Sequence, residues 1–227
     1  EPKFSDSSYG FRPNRSCHQA VTKAKSYIAT GRCYVVDIDL EKFFDKVHHD
    51  RLISRLSGEV TDKRVLKLIR EYLTAGILEK GLVSTPDEGT PQGGPLSPIL
   101  SNIVLDELDH ELEKRDHKFV RYADDCNIYV QSERAGSRVM ASISRFIEHK
   151  LKLKLNSSKS AVDRASSRKF LGFSFTSESK VRIRISQQSL ERFKNRIRQL
   201  TRRSQMSLEN QVKKLSIYLQ GWLGFYR

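Results

Sequence analysis

Apolar positions along this chain recur with two periods, in alternating blocks. From Cys33 to Leu40 the period is two: Tyr34, Val36, Ile38 and Leu40 share one face, and Cys33, Val35, Asp37 and Asp39 the other. The run from Phe119 to Val130 predicts a β-hairpin, two stretches of β-formers with Asp124-Asp125 at the tip. Leu151-Lys152-Leu153-Lys154-Leu155 alternates as a strand, with Lys159 in the loop after it, and 170–175 and 180–185 predict two more strands. The helical period takes over between these blocks. Ser16 caps a helix carrying Ala20, Val21, Ala24 and Ile28, which Gly31 ends. Asp50 opens a short helix with Leu52, Ile53 and Leu56; Thr61 opens another with Val65, Leu68, Ile69, Tyr72 and Leu73, closed by Gly76. Ile77 to Thr90 reads as a loop-rich hairpin. Pro98 suits the first turn of a helix through Leu100, Ile103, Val104, Leu108 and Leu112. Val139, Ile143, Phe146 and Ile147 mark another helix, and the chain ends in two more, the first of them strongly basic.

With the extra helices set aside, the centre runs strand, helix, two-strand hairpin, helix, strand. This is an α+β, split βαβ (ferredoxin-like) arrangement with an antiparallel sheet, in which the first strand and the hairpin can be neighbours. The end of the first strand, Asp39, and the hairpin tip, Asp124 and Asp125, can then converge. A stable hairpin would favour Asn-Gly or Asp-Gly at its turn, whereas two adjacent carboxylates repel each other. The plain alternative is a solvated acidic turn. Three carboxylates on one sheet edge would instead suit two Mg²⁺ ions about 3.5–4 Å apart. Asp37, one pleat earlier, is expected to meet an arginine or the surface.

Charge adds a partner to this picture. The chain has 227 residues, with 41 Lys and Arg against 27 Asp and Glu, net +14, which points to a polyanion and foremost to nucleic acid. Ribosomal and membrane-surface proteins share that balance, but no apolar run approaches the roughly 18 residues of a membrane span. Three scattered cysteines with no Cys-x-x-Cys pairing argue against a zinc site and a disulfide framework and suit a reducing compartment. Arg12 and Arg15 flank a Pro-Asn turn before a helix start, a plausible phosphate clamp or two ordinary surface arginines. Gly93-Gly94 permits close backbone approach, and with Gln92 it can hold a nucleotide at a helix N-terminus.

Asp39-x-x-x-x-Phe44-Asp45, the Gly93-Gly94 loop and Tyr122-Ala123-Asp124-Asp125 resemble, in order, the catalytic motifs of reverse transcriptases. Tyr9-Gly10-Phe11-Arg12-Pro13-x-Arg15-Ser16, Thr90 to Pro98 and the Gly221-Trp222 ending resemble group II intron-encoded reverse transcriptases, or maturases, more narrowly. The resemblance implies a right-hand polymerase: fingers in 1–32 and 47–91, palm in 33–46 and 92–185, and the beginning of the thumb in 186–227. It implies RNA-directed DNA synthesis with two Mg²⁺ ions (Mn²⁺ as substitute), intron RNA as template, a DNA primer or target, and dNTPs. Asp39 and Asp124 would be the principal metal ligands, Asp125 supporting, with the Leu40 carbonyl. Phe44 would stack beneath the deoxyribose; Gln92 and Gly93 would line the nucleotide and template; Arg12 or Arg15 would contact the triphosphate. Lys159 would protonate pyrophosphate, and Phe170-Leu171-Gly172 would form the primer grip. A splicing maturase with secondary polymerase activity is the alternative, as is a retron, diversity-generating or CRISPR-linked reverse transcriptase. The chain is expected to be part of a longer one, with finger motifs before Glu1 and the rest of the thumb, the intron-binding maturase domain and any endonuclease domain after Arg227. A bacterial cytoplasmic setting is expected, with an organelle as alternative; no membrane is implied, and a homodimer is left open.

Overall fold

The computed structural model describes residues 3–41, 43, 46–74, 77–79, 82–84, 89, 94–178, 180–202 and 207–227. It divides into two compact units, Glu1–Ala165 and Ser166–Arg227.

The first unit begins with a loop and α1 (Cys17–Ala29). Ser16 and Gln19 cap it reciprocally, each side chain accepting from the other's backbone N–H. Gly31, at φ 86°, turns the chain out of the helix into β1 (Tyr34–Ile38). Next come α2 (His49–Ser57), α3 (Lys63–Thr74) and the hairpin β2 (Ile77–Glu79) and β3 (Leu82–Ser84). The expected caps shift by a residue or two. α2 starts behind His48, with Asp50 in its first turn, and Asp62 rather than Thr61 accepts from the Arg64 N–H. Pro98 lies in the first turn of α4 (Ser97–Lys114) as expected. Then follow β4 (Lys118–Tyr122), β5 (Asp125–Val130), α5 (Glu133–Phe146), a π-helical turn over Ile147–Leu151 and β6 (Ala161–Arg164).

These strands form one antiparallel sheet in the order β4-β5-β1-β6, the split βαβ arrangement anticipated from the sequence. One face carries Val36, Ile38, Phe119, Cys126, Ile128 and Val130 and packs against Leu105, Leu108 and Leu112 of α4 and Ile143 of α5. α5 comes so close at Gly136 that an added Cβ would lie 2.4 Å from Val162 Cγ1. The other face is covered over β4 and β5 by α1, where the rings of Tyr27 and Tyr129 meet at 5.9 Å.

One expected strand is corrected. Leu151–Leu155 is not a ladder strand: Leu151 closes the π-helical turn, Lys152 takes a left-handed φ of 57°, and only Leu155 bridges Leu40. β6 takes the place beside β1 instead. Leu151 and Leu153 are buried as the alternation requires, so the pattern reports burial without ladder bonds.

In the second unit β7 (Phe173–Phe175) pairs with β8 (Ile183–Ile185), followed by α6 (Gln187–Thr201) and α7 (Leu208–Tyr226). The expected strand over 170–175 is broken by a turn at Leu171 and Gly172, both at positive φ, which Phe170 and Phe173 close. Tyr226 lies over that turn, and an added Cβ on Gly172 would meet its hydroxyl at 2.6 Å. Phe173, Tyr226, Trp222 and Phe193 continue from there as a chain of ring contacts. No described helix is long and apolar enough to cross a membrane.

Candidate functional site

The register of the sheet brings the predicted carboxylates to one end. Ile38 pairs with Cys126, so the next position along each strand sets Asp39 opposite Asp125. Opposed residues of an antiparallel pair project to the same face. Tyr122 pairs with Asp125, which leaves Ala123 and Asp124 as a two-residue turn beside them. All three aspartates are partly exposed. Asp37 lies opposite Asn127 on the same face, one pleat from the sheet end.

Asp39 is held by the loop that precedes β6. Its N–H donates to Ser160 Oγ at 3.0 Å, and its carbonyl accepts from the Asn156 N–H at 2.9 Å and from the Ser160 hydroxyl at 3.2 Å. Lys159 Nζ stands 3.8 Å from Asp39 Oδ2, which joins the expected lysine to the expected carboxylate. Asn156 and Ser160 were not marked by the sequence, since lone polar loop residues carry no period. Leu40 is bracketed by the bonds of Asp39 C=O and Glu41 N–H to the 154–156 segment, neither of which uses the Leu40 carbonyl.

Among the described residues no three His, Cys, Asp or Glu side chains gather closely enough to enclose a metal. The donors at this end are carboxylate oxygens, the ligands Mg²⁺ favours. That ion is usually held by one or two carboxylates together with water and substrate phosphates rather than by a closed protein cage. The donor set therefore fits a divalent metal that arrives with its substrate.

The turn itself is strained and braced. Ala123 adopts φ 57°, a left-handed conformation that a Cβ disfavours. Arg121, completely buried on the core face of β4, donates from Nη1 to the Ala123 carbonyl at 2.8 Å and to Asn102 Oδ1 at 2.9 Å. Its Nε donates to Asp109 Oδ1 at 2.7 Å, and Nη2 to Asp109 Oδ2 and, at 2.8 Å, to Ser8 Oγ. Burial alone would lower the Arg121 pKa, but the Asp109 charge and hydrogen bonds outweigh it and hold the pKa above its usual value. Burial likewise pushes the neighbouring Cys126 thiol far up, so it stays protonated and unreactive.

Gly10 backs onto the same turn. A Cβ there would lie 2.3 Å from the Ala123 nitrogen, and the Gly10 carbonyl accepts from Asn102 Nδ2 at 2.8 Å. Residues 7–9 run alongside β4 through Tyr9 N–H to Arg121 O and Arg121 N–H to Ser7 O. Arg12 donates to the carbonyls of Ser5 and Ser8 and covers the Phe4 ring; Arg15 pairs with Asp6 at 2.6 Å and covers the Tyr9 ring. Both arginines thus tie up the loop that supports the turn. Phe44, Gln92 and Gly93 lie outside the described residues. Phe170, Leu171 and Gly172 belong to the second unit, where the Gly172 carbonyl accepts from Ser186 N–H and the Ser189 hydroxyl, each at 3.0 Å.

Residues 2–175 match the family described as reverse transcriptase (RNA-dependent DNA polymerase), and residues 190–227 match the group II intron, maturase-specific domain. The second match falls on α6 and α7. At least part of the intron-binding domain expected after Arg227 is thus matched within 190–227. The group II intron-encoded protein LtrA of Lactococcus lactis subsp. cremoris is 41% identical over 121 residues, 53% of this chain and 20% of LtrA. Protein YkfC of Escherichia coli is 40% identical over 119 residues, 51% of this chain and 31% of YkfC. The putative COX1/OXI3 intron 2 protein of Saccharomyces cerevisiae is 34% identical over 157 residues, 66% of this chain and 18% of that protein. The chain thus spans under a third of the length of these relatives. Telomerase from Candida tropicalis, in complex with a TWJ fragment of telomeric RNA, superposes with a TM-score of 0.60 at 14% identity, over 94% of this chain and 42% of that one. This last likeness speaks to the fold alone, an α+β right-hand polymerase. On the family matches, the chain belongs to the reverse transcriptases, in their group II intron-encoded branch.

Proposed function

We propose that the protein carrying this chain copies RNA into DNA for a group II intron and assists the splicing of that intron's RNA. The observation that carries the reading is the register that sets Asp39 opposite Asp125 beside the Asp124 turn. Asp39 and Asp124, with Asp125 and the Leu40 carbonyl, would hold two divalent ions, Mg²⁺ or Mn²⁺. When bound, these lower the pKa of a primer 3′-hydroxyl and neutralise the phosphates of the incoming dNTP. Lys159, beside Asp39 and largely exposed, would serve as proton donor to the leaving pyrophosphate. Of the two arginines, Arg15 is the better partner for the triphosphate. Its ion partner Asp6 is 95% exposed, so exchanging it for a phosphate costs little. Arg15 would give up one backbone carbonyl, that of Asp6, and Arg12 two, those of Ser5 and Ser8. Phe44 is assigned to sugar selection, Gln92 and Gly93 to the nucleotide and template, and Phe170-Leu171-Gly172 to the primer 3′ end. The maturase-specific match over a basic helix pair supports intron RNA as the template and favours this lineage over retron, diversity-generating or CRISPR-linked enzymes. In the full-length protein, Asp39→Asn or Asp124→Asn should abolish primer extension with little change in RNA affinity. Appreciable extension by Asp124→Asn would refute the assignment.

A further inference from the structure

Arg121 sits on an otherwise apolar face, between Phe119 and the carboxylate turn, and among the described residues each hydrogen bond of its side chain is with a buried residue. Asp109, Asn102 and Ser8 are each completely buried as well. A buried ion pair is seldom the most stable solution, because well-packed apolar residues serve as well or better. What this pair adds is direction. The guanidinium is a planar fork with five donors, and Asp109 grips one edge of it in bidentate fashion. That grip sets where the remaining donors point: to the Ala123 carbonyl, the Asn102 amide and the Ser8 hydroxyl. Asn102 passes the restraint on to the Gly10 carbonyl, and Gly10 lies against the Ala123 nitrogen. The turn is therefore clamped from both sides, through its carbonyl by Arg121 and at its backbone by Gly10. Ala123 is the one residue of that turn in a left-handed conformation, which persists only where surroundings over-determine it.

We infer that Arg121 is a positioning residue: anchored by Asp109 and linked through Asn102 to Gly10, it holds the strained Ala123 turn so that Asp124 and Asp125 face Asp39. This rests on the polymerase reading of the carboxylates. It also gives Tyr9-Gly10-Phe11-Arg12 a second role, as the outer brace of the turn rather than a nucleotide contact alone.

The test uses the full-length protein with Arg121→Lys and Asn102→Ala. Lysine keeps the charge but has no fork; Asn102→Ala removes the link to Gly10 and leaves no charge unpaired. Each variant is measured well below its unfolding temperature by single-turnover primer extension and by amide hydrogen exchange. The maximal rate of nucleotide addition should fall by about a hundredfold, the scale of a 1 Å misplacement, while the dNTP dissociation constant changes by less than about threefold. Amides of Tyr122–Cys126 should exchange at least about tenfold faster, with Tyr34–Ile38 as protected as in the wild type. Wild-type protection at the turn would overturn the inference, and so would exchange that quickens evenly across the sheet or a wild-type rate in a folded variant. If Arg121→Lys does not fold, Asn102→Ala decides. If the wild-type protein extends no primer, the polymerase reading fails, and the exchange measurement alone judges the brace.

Discussion

Arg121 and Asp109 make opposite demands on stability and on site geometry, and the demands separate by mutation. Asp109→Ala strands a buried guanidinium and should cost about 3–5 kcal/mol, whereas replacing both partners by Arg121→Met and Asp109→Leu should recover most of that. The check is the urea midpoint of unfolding at unchanged m value. A double variant no more stable than Asp109→Ala would show that the pair itself stabilises the fold. At the same scale, Phe44→Ala in the full-length protein should raise ribonucleotide use relative to deoxyribonucleotide by about tenfold, or 1.4 kcal/mol of discrimination; unchanged selectivity in competition assays would move the sugar gate elsewhere. The carboxylates were legible in the sequence because their spacing from two recognisable strands puts them at one sheet end. Arg121 was not. A single charge in a short strand has no period of its own, and its partners lie at Ser8, Asn102 and Asp109, far apart in the chain. The one available signal was paired: an arginine on the apolar face of β4 and an aspartate among the apolar positions of α4.

Among the elements, close backbone approach decides more than propensity does. Gly10→Ala would put a methyl 2.3 Å from backbone that cannot yield without moving the turn, so primer extension should fall at least about tenfold in protein that still binds RNA. Wild-type extension by Gly10→Ala would mean that the turn tolerates displacement. Gly136→Ala tests the packing of α5 on the sheet. The added Cβ meets Val162 at 2.4 Å and lies 3.4 and 3.5 Å from Val130 and Val36, so overpacking should cost about 1–3 kcal/mol in thermal or urea unfolding. A neutral or stabilised variant would show that α5 can lift freely. Sequence pattern and structure agree where a hydrophobic period runs long, as in α1, α4 and the β4–β5 hairpin. They diverge where ladder bonds and burial part company. Leu151–Leu155 alternates more cleanly than Ala161–Arg164, yet the shorter and more polar segment occupies the edge of β1. Only pairing partners distinguish the two, and they are remote in sequence.

On the scale of the whole molecule, charge is distributed unevenly between the two units. Ser166–Arg227 carries 14 Lys and Arg against 3 Asp and Glu, a net of +11, whereas the first 165 residues carry 27 against 24, a net of +3. The sequence total of +14 announced a polyanionic partner without saying which part would meet it. On α6, Arg192 and Arg196 are exposed one turn apart, and their region is the one matched by the maturase-specific domain. RNA binding by this chain should therefore depend steeply on salt, with a log–log slope of about −0.7 for each single-strand phosphate contact. Replacing Arg192 and Arg196 together by alanine should make that slope shallower by about 1.4, in proportion to two lost contacts. Arg134 and Arg138, exposed one turn apart on α5 of the nearly neutral unit, serve as the control and should leave the slope within error of the wild type. Filter binding of one RNA across a salt series, for the three proteins side by side, reads all of these slopes. A flat wild-type slope, or a larger change from the α5 pair than from the α6 pair, would locate the grip on RNA away from the basic helices.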